Sequence, residues 1–594
     1  MNSDNHEKSA ALGFFSFSLL AVLVGIVGGF AAVFFRGLIA FFHNLLFLGQ
    51  FSLSYDANIH TPASPWGALV ILVPVVGAAG VVFLVKHFAP EAKGHGVPEV
   101  MDAIYYAKGK IRPVVAVVKS LASALSIGSG GSVGREGPII QIGASFGSTI
   151  SQALRLAVWQ RITLIAAGAG AGIAATFNTP VGAVLFAVEI LLHEVSARTL
   201  VPVAIATTTA TYVGRIFLGA SPSFIIPQLE IINFHLTNPW VLLSYVGLGI
   251  FTGLISAVYI RSIYAFEDFF EKHIRGGYYV RHLTAMCLVG IIMYVLWAYF
   301  GHYYVEGVGY ATVQDILNGS MNGPFLLLLL LFLKLLCTNL TLGSGASGGI
   351  FSPGLFMGAA LGGVYGIFFS RLFPSLGVNP AAFAVAGMAG VIGGTTGAAL
   401  AAIVLIFEMT LDYMVILPMT ITVAFSYGIR KKLSIQSIYT MKLARRGHYM
   451  PSNFTSNFHL IQQARDIMTK DFIVLSSGTN LDDYLDSLVT KQASPIVIVE
   501  DTGKVAGVFG ECKALKSLSG RSGSMRMDDV MDGNYLMVYP DTKLFDIVKM
   551  FCSQNATVAL VVDPMKGDGV SGVIGVIHKE HIVDAIEKPF DLFS

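Results

Sequence analysis

The chain has 594 residues, of which 54% are apolar and 12% are Asp, Glu, Lys or Arg, with a net charge of +2. Soluble domains carry about 25% charged residues, so this composition excludes a single soluble domain, a disordered chain and a disulfide scaffold, and it leaves a polytopic membrane protein. The small net charge, with no basic stripe, gives no sign of a nucleic-acid partner, and none is expected.

Charge divides the chain into two bodies. Asp, Glu, Lys and Arg make up about 23% of residues 441–594, near the soluble average, but only about 9% of residues 1–440. The expected layout is an N-terminal cytoplasmic tail over 1–11, a membrane domain over 12–440, a linker over 441–460 and a soluble domain over 461–594. The tail, MNSDNHEKSA, lacks a basic n-region and a small-residue cleavage site, so no cleaved signal is expected. Ala10 to Leu48 is too long for a signal core and reads as a retained span. Trp66 to Val85 and Val241 to Tyr259 read as further full spans. Ile139 to Ile150, Val181 to Leu192, Gly354 to Phe369 and Ala398 to Met409 are shorter runs cut by Gly or Pro. Such runs are expected to be re-entrant half-helices whose ends are buried in protein or line a polar cavity. Arg430, Lys431, Lys432, Lys442, Arg445 and Arg446 follow the last apolar segment, which puts that side and the soluble domain in the cytoplasm. The reading is an integral, multi-pass protein of the plasma membrane (the inner membrane of a bacterium). Cys287, Cys337, Cys512 and Cys552 have no paired spacing, so neither a zinc site nor a disulfide framework is expected.

The membrane domain is duplicated. GSGGSVGREGP (Gly128 to Pro138) aligns without gaps with GSGASGGIFSP (Gly343 to Pro353), six of eleven positions being identical. Gly172 to Ile190 aligns with Val391 to Met409 and places Glu189 on Glu408. The offsets, 215 and 219, belong to one duplication, with repeats over about 66–218 and 240–430. Paired interrupted segments point to a transport site at mid-membrane, and an inverted relation fits this architecture without being readable from the residues. Each glycine loop ends in Pro and an apolar run, which is how a helix starts. The free N–H groups and the dipole there make an anion site, and glycine lets the backbone approach the ligand. Two such N-termini hold chloride without a full positive charge, so the ion can also leave. Glu136 sits inside the first loop. An ionisable residue at that depth is a functional candidate, here as a tethered competitor for the anion site, released by protonation. The alternative is an ion pair with Arg135.

These residues resemble the ClC family of chloride channels and proton/chloride exchangers. GREGP (Gly134 to Pro138) is similar to the family's gating-glutamate motif, GIFSP (Gly349 to Pro353) to its second anion motif, and GHGVPE (Gly94 to Glu99) to its first. SIY (Ser437 to Tyr439) is similar to the stretch carrying the anion-coordinating tyrosine. The resemblance implies anion-binding positions at His95, Gly134, Arg135, Glu136, Gly137, Gly349, Ile350, Phe351 and Tyr439. Glu136 is then the gate, and the Ile350 and Phe351 amides with the Tyr439 hydroxyl hold the central chloride. It also implies a homodimer with one pore per subunit, and no cofactor besides bound chloride. Two departures stand out. His95 replaces the usual serine; a protonated imidazole there would strengthen anion binding at low pH, or else its side chain faces elsewhere. Ile190 occupies the place of the exchangers' inner proton-transfer glutamate, with Glu189 just before it. Uncoupled, channel-like chloride flow is therefore the first reading. Proton/chloride exchange using Glu189, His193 or Glu194 is the alternative, and fluoride export is another.

In the tail, ARDIMTKDFIVLSS, SPIVIVED and GKVAGVFG are echoed by MDDVMDGNYLMVYP, ATVALVVDP and SGVIGVIHKEHIVDAI, two α/β units of helix, strand, strand, helix. The pattern resembles a CBS-domain pair. Gly510, Lys513, His578 and His581 stand where such pairs carry Thr/Ser and Asp for an adenine nucleotide, so a dimerisation and gating module is the first expectation and nucleotide binding the alternative. His578 and His581 alone make a weak metal site. A reading from another class is an intramembrane serine protease, since GASG (Gly345 to Gly348) is similar to the rhomboid motif. Ser347 would then need a histidine base, and the next histidine is His448. The fold class expected is an all-α polytopic membrane domain of broken, re-entrant helices in two repeats, plus a cytoplasmic α/β CBS pair. The chain is read as a transporter and not an enzyme.

Overall fold

The computed structural model describes residues 11–226, 239–448, 450, 462–480, 496–510, 526–554, 556, 558–566 and 569–582. Most of the expected tail, half of the expected linker, Cys512 and Lys513 lie outside them. The chain divides into two compact units, Met1–Thr455 and Ser456–Ser594.

The first unit is helical. Among the described residues, eight helices are long and apolar enough to cross a membrane. Its first half holds α1 (Phe14–His43), α2 (Val73–Phe88), α3 (Val97–Tyr106), α4 (Val114–Gly128), α5 (Glu136–Ala153), α6 (Val158–Phe177), α7 (Pro180–Phe186) and α8 (Ala197–Leu218). A π turn, Ala187–Leu192, extends α7. The second half repeats this order as α9 (Pro239–His273), α10 (Gly277–Phe300), α11 (Tyr310–Leu317), α12 (Pro324–Gly343), α13 (Phe351–Leu372), α14 (Pro380–Thr396), α15 (Ala399–Thr410) and α16 (Ile416–Leu433). A last helix, α17 (Ile438–Arg445), carries Tyr439. Helix α1 packs on α6 and α8 as α9 packs on α14 and α16, so the duplicated unit includes α1, ahead of the start expected near residue 66.

Both glycine loops break the helical path, between α4 and α5 and between α12 and α13. The runs that follow are longer than expected. Helix α13 has 22 residues, enough to span, where the apolar run suggested a half-helix. Pro353 sits in its first turn, where a missing N–H costs nothing, so the helix begins before the proline. Helix α15, with 12 residues, stays short.

Glycine sets the packing of each half. A Cβ at Gly143 would sit 2.1 Å from the Gly168 carbonyl, and one at Gly147 would sit 2.1 Å from that of Leu164. In the other half a Cβ at Gly358 would sit 2.5 Å from the Gly387 carbonyl, and one at Gly362 would sit 2.1 Å from that of Phe383. The α5–α6 and α13–α14 pairs thus approach through small-xxx-small faces, as packing in lipid requires.

The second unit holds two sheets of the same design. In one, β1 (Ile473–Ser476) lies parallel to β2 (Ile496–Asp501), which is antiparallel to β3 (Lys504–Gly510). In the other, β4 (Tyr535–Val538), β5 (Val558–Val562) and β6 (Val573–His578) pair the same way. Each unit has a strand more than expected, because the IVLS and YLMV stretches pair ahead of the two strands read from the sequence. Strand β5, the central strand of its sheet, is buried along its whole length.

Candidate anion site

The N-termini of α5 and α13 meet at the centre of the first unit. The loops before them are stitched together: the Gly134 N–H donates to the Gly349 carbonyl at 2.7 Å, and the Gly349 N–H donates back to the Gly134 carbonyl at 2.6 Å. Each N–H is therefore taken by the other glycine's carbonyl, so the expected anion role of Gly134 and Gly349 reduces to permitting the approach. A Cβ at Gly134 would fall 2.2 Å from a Glu136 carboxylate oxygen, and one at Gly137 would fall 2.2 Å from the His95 carbonyl.

Glu136 is 2% exposed. Its carboxylate lies across the gap on the N-terminus of α13: Oε2 accepts from the Ser352 N–H at 3.3 Å, and Oε1 accepts from the Ser352 and Tyr310 hydroxyls. The side chain therefore occupies the helix mouth where a small anion would sit. Its neighbour Arg135 does not pair with it. The guanidinium lies over the Phe177 ring at 5.5 Å and the Tyr310 ring at 5.2 Å, which sets aside the alternative ion pair. Ile350 caps α13 and Phe351 begins it, so their N–H groups belong to the turn that has no acceptor within the helix. The Ile350 carbonyl accepts from the Tyr259 hydroxyl at 3.1 Å.

Tyr439 is 2% exposed, and its ring centroid lies 6.0 Å from that of His95. A capping box at Ser437 and Thr440 starts α17 and fixes this tyrosine. The His95 ring is buried and turned toward Tyr439, with Nε2 3.4 Å from the Tyr264 hydroxyl and Nδ1 without a hydrogen-bond partner. Burial and the charges of Lys442, Lys119 and Arg446 push this imidazole well below the ordinary histidine range. This opposes the expected gain of charge at low pH, and the ring faces Tyr439.

Two buried lysines brace the loops in mirrored fashion. Lys119 Nζ donates to the Ala92 and Gly94 carbonyls at 3.0 and 2.7 Å, and Lys334 Nζ donates to those of Val305 and Gly307 at 3.1 and 2.8 Å. They hold the turns that lead into α3 and α11. Mirroring recurs at the broken helices. Both Glu189 carboxylate oxygens accept from the α15 N-terminus, Leu400 at 3.2 Å and Ala401 at 2.7 Å. Those of Glu408 accept from Val181 at 3.1 Å and Gly182 at 2.7 Å of α7. Glu189 is thus a helix cap, which opposes its expected place on a proton path, and Ile190 beside it is buried.

Residues 77–431 match the model of the voltage gated chloride channel family. The chain belongs to the ClC family. Residues 527–588 match the CBS domain. Over 434 residues the chain is 32% identical to an H(+)/Cl(-) exchange transporter, ClcA, of Yersinia pseudotuberculosis, covering 72% of this chain and 87% of that one. It is similar to the crystal structure of a slow cyanobacterial Cl-/H+ antiporter, with TM-score 0.63 and 27% identity over 72% of this chain and 97% of that one. The fold of a eukaryotic CLC transporter covers 95% of this ClC chain and 97% of its own, with TM-score 0.59 and 19% identity. The protein is a multi-span membrane protein that transports chloride, with a separate C-terminal CBS region.

The geometry opposes the protease alternative. The Ser347 hydroxyl donates to the Ala92 carbonyl at 2.7 Å and lies 2.8 Å from that of Ser123, while His448 pairs with Asp102 at 2.5 Å and stacks on Tyr106. In the second unit, the His581 ring accepts from the His578 N–H at 3.2 Å. Gly510 ends β3. The sequence reading missed Tyr310, Ser352, Tyr259 and Tyr264. A signal for Tyr310 existed: GVGY (Gly307 to Tyr310) stands in the second half where GHGV (Gly94 to Val97) stands in the first.

Proposed function

We propose that chloride crosses this protein along a path gated by Glu136, without obligatory exchange for protons, in a homodimer with one path per subunit and the CBS region in the cytoplasm. The observation that carries the gate is the Glu136 carboxylate on the Ser352 N–H, in the seat an anion would take. Ile190 supports uncoupled flow, because an aliphatic side chain carries no proton and the adjacent Glu189 is engaged by two backbone N–H groups. The second reading, proton/chloride exchange, draws on the exchange activity named for the Yersinia relative. Glu194, 6% exposed near the end of the α7 segment, is the acid that would serve it.

One set of planar-bilayer recordings tests both parts. Under a proton gradient at fixed chloride, uncoupled flow leaves the reversal potential unmoved, and a shift with pH establishes exchange. Glu136→Gln is expected to raise chloride flux and flatten its pH dependence; unchanged flux and pH response remove the gate.

A further inference from the structure

We infer that Tyr310 is a positioning residue of the gate, a latch that keeps the Glu136 carboxylate seated on α13. This rests on the reading of Glu136 as the gate.

The tyrosine reaches Glu136 from outside both glycine motifs. It opens α11, a helix of eight residues that follows the Gly307–Gly309 turn, and Gly309 takes a φ of 77° that glycine adopts freely. Lys334 holds the carbonyls of that turn, so the start of α11 is fixed relative to α12. The Tyr310 side chain is 1% exposed. Its ring meets Phe224 edge-on at 5.1 Å and carries the Arg135 guanidinium on one face. The hydroxyl ends on Glu136 Oε1 and lies 3.0 Å from the Ser352 hydroxyl.

Seating a carboxylate on one helix end takes more than one N–H. The Ser352 N–H reaches Oε2, and the two hydroxyls reach Oε1. An anion arriving in the seat takes over the N–H, while the phenol stays directed at the glutamate oxygen that the Ser352 hydroxyl also reaches. Tyr310 therefore weights the competition toward the closed gate. A protonated Glu136 offers a poorer acceptor to the phenol, so protonation weakens the same latch. The other ionisable groups whose fields reach Glu136 are Lys334, Tyr259 and Tyr439, with Arg135 next to it in the chain. None of these donates to its carboxylate; the Ser352 hydroxyl does so from α13 itself, and Tyr310 is the donor that reaches it from α11.

The test is chloride efflux from liposomes holding the full chain, measured from pH 5 to pH 8. Tyr310→Phe keeps the ring, its Phe224 contact and its Arg135 stack, and removes only the hydroxyl. It is expected to raise efflux at pH 7.5 about tenfold and to move the half-maximal pH up by about one unit, the size of one lost charge-assisted hydrogen bond. In a Glu136→Gln background the same change is expected to alter efflux by less than about twofold, since no carboxylate is left to hold. An equal gain in both backgrounds overturns the latch, because Tyr310 would then act on the path itself. So does wild-type efflux with an unmoved pH profile in Tyr310→Phe. Should Tyr310→Phe fold poorly, Ser352→Ala with Tyr310 intact serves as the second variant. It must leave a residual pH-dependent gate, and full loss of gating there also overturns the proposal. Glu136→Gln alone reports on the underlying reading: if it leaves flux unchanged, the gate itself is wrong, whatever Tyr310 does.

Discussion

Carboxylates in this protein are assigned by what holds them, and Glu99 shows how an acid outside the anion seat supports it. Burial pushes Glu99 up, but the Arg446 fork at 2.6 and 3.0 Å and Lys442 at 3.4 Å outweigh burial and hold its carboxyl below the usual range. A carboxyl held low contributes stability that is fully present above its unfolded value, about 4.3, and is lost as pH falls through the lower folded value. Arg446 follows α17 directly, so this ion pair fastens the Tyr439 helix to α3. The melting temperature in detergent is expected to fall on acidification below about pH 4, and less steeply in Glu99→Gln than in the wild type. Parallel curves for the two proteins would remove Glu99 from that role. The fork is also geometric: Lys in place of Arg446 keeps the charge and loses the second hydrogen bond.

At the scale of elements, the broken helices close one another. Glu189 caps α15 and Glu408 caps α7, each with two backbone N–H groups. Replacing an N-cap acceptor costs about 1–2 kcal/mol. Glu189→Ala and Glu408→Ala are each expected to lower stability by about that amount, measured by thermal unfolding in detergent, while chloride flux continues. A large loss of flux at full stability in Glu189→Ala alone would return that residue to a proton or ion path. The symmetry of the pair was legible, since the two acids align in the repeat. Their function as caps was not, because each partner lies more than 200 residues away, at separations of 211 and 226. The glycine loops were legible for the opposite reason: loop, proline and helix start are adjacent in the chain. Tyr310, 174 residues from Glu136, gave no local sign of its contact. The length of α13 was misjudged because hydropathy marks where a helix is greasy, and Pro353 and Arg371 inside its ends do not stop it.

At the scale of the whole molecule, the anion seat lies between two halves that fold the same way and meet at their loops. A ligand that binds only the joined, folded state stabilises it by mass action, about 2.7 kcal/mol at a hundred times the dissociation constant. Chloride is therefore expected to raise the melting temperature of the full chain relative to gluconate at equal ionic strength. The shift should be larger in Glu136→Gln, where the tethered rival is weakened. Equal melting in both salts would mean that chloride does not occupy the seat. The reciprocal pair of hydrogen bonds between Gly134 and Gly349 has a longer reach. One half alone presents a lone loop with a dangling N–H and carbonyl and only part of an ion pathway. A gene encoding a single half would therefore build no complete seat until two copies met in the bilayer. Fusion into one gene then fixed that encounter at a one-to-one stoichiometry and freed the two copies to diverge, one keeping an acid at its loop and the other a phenylalanine.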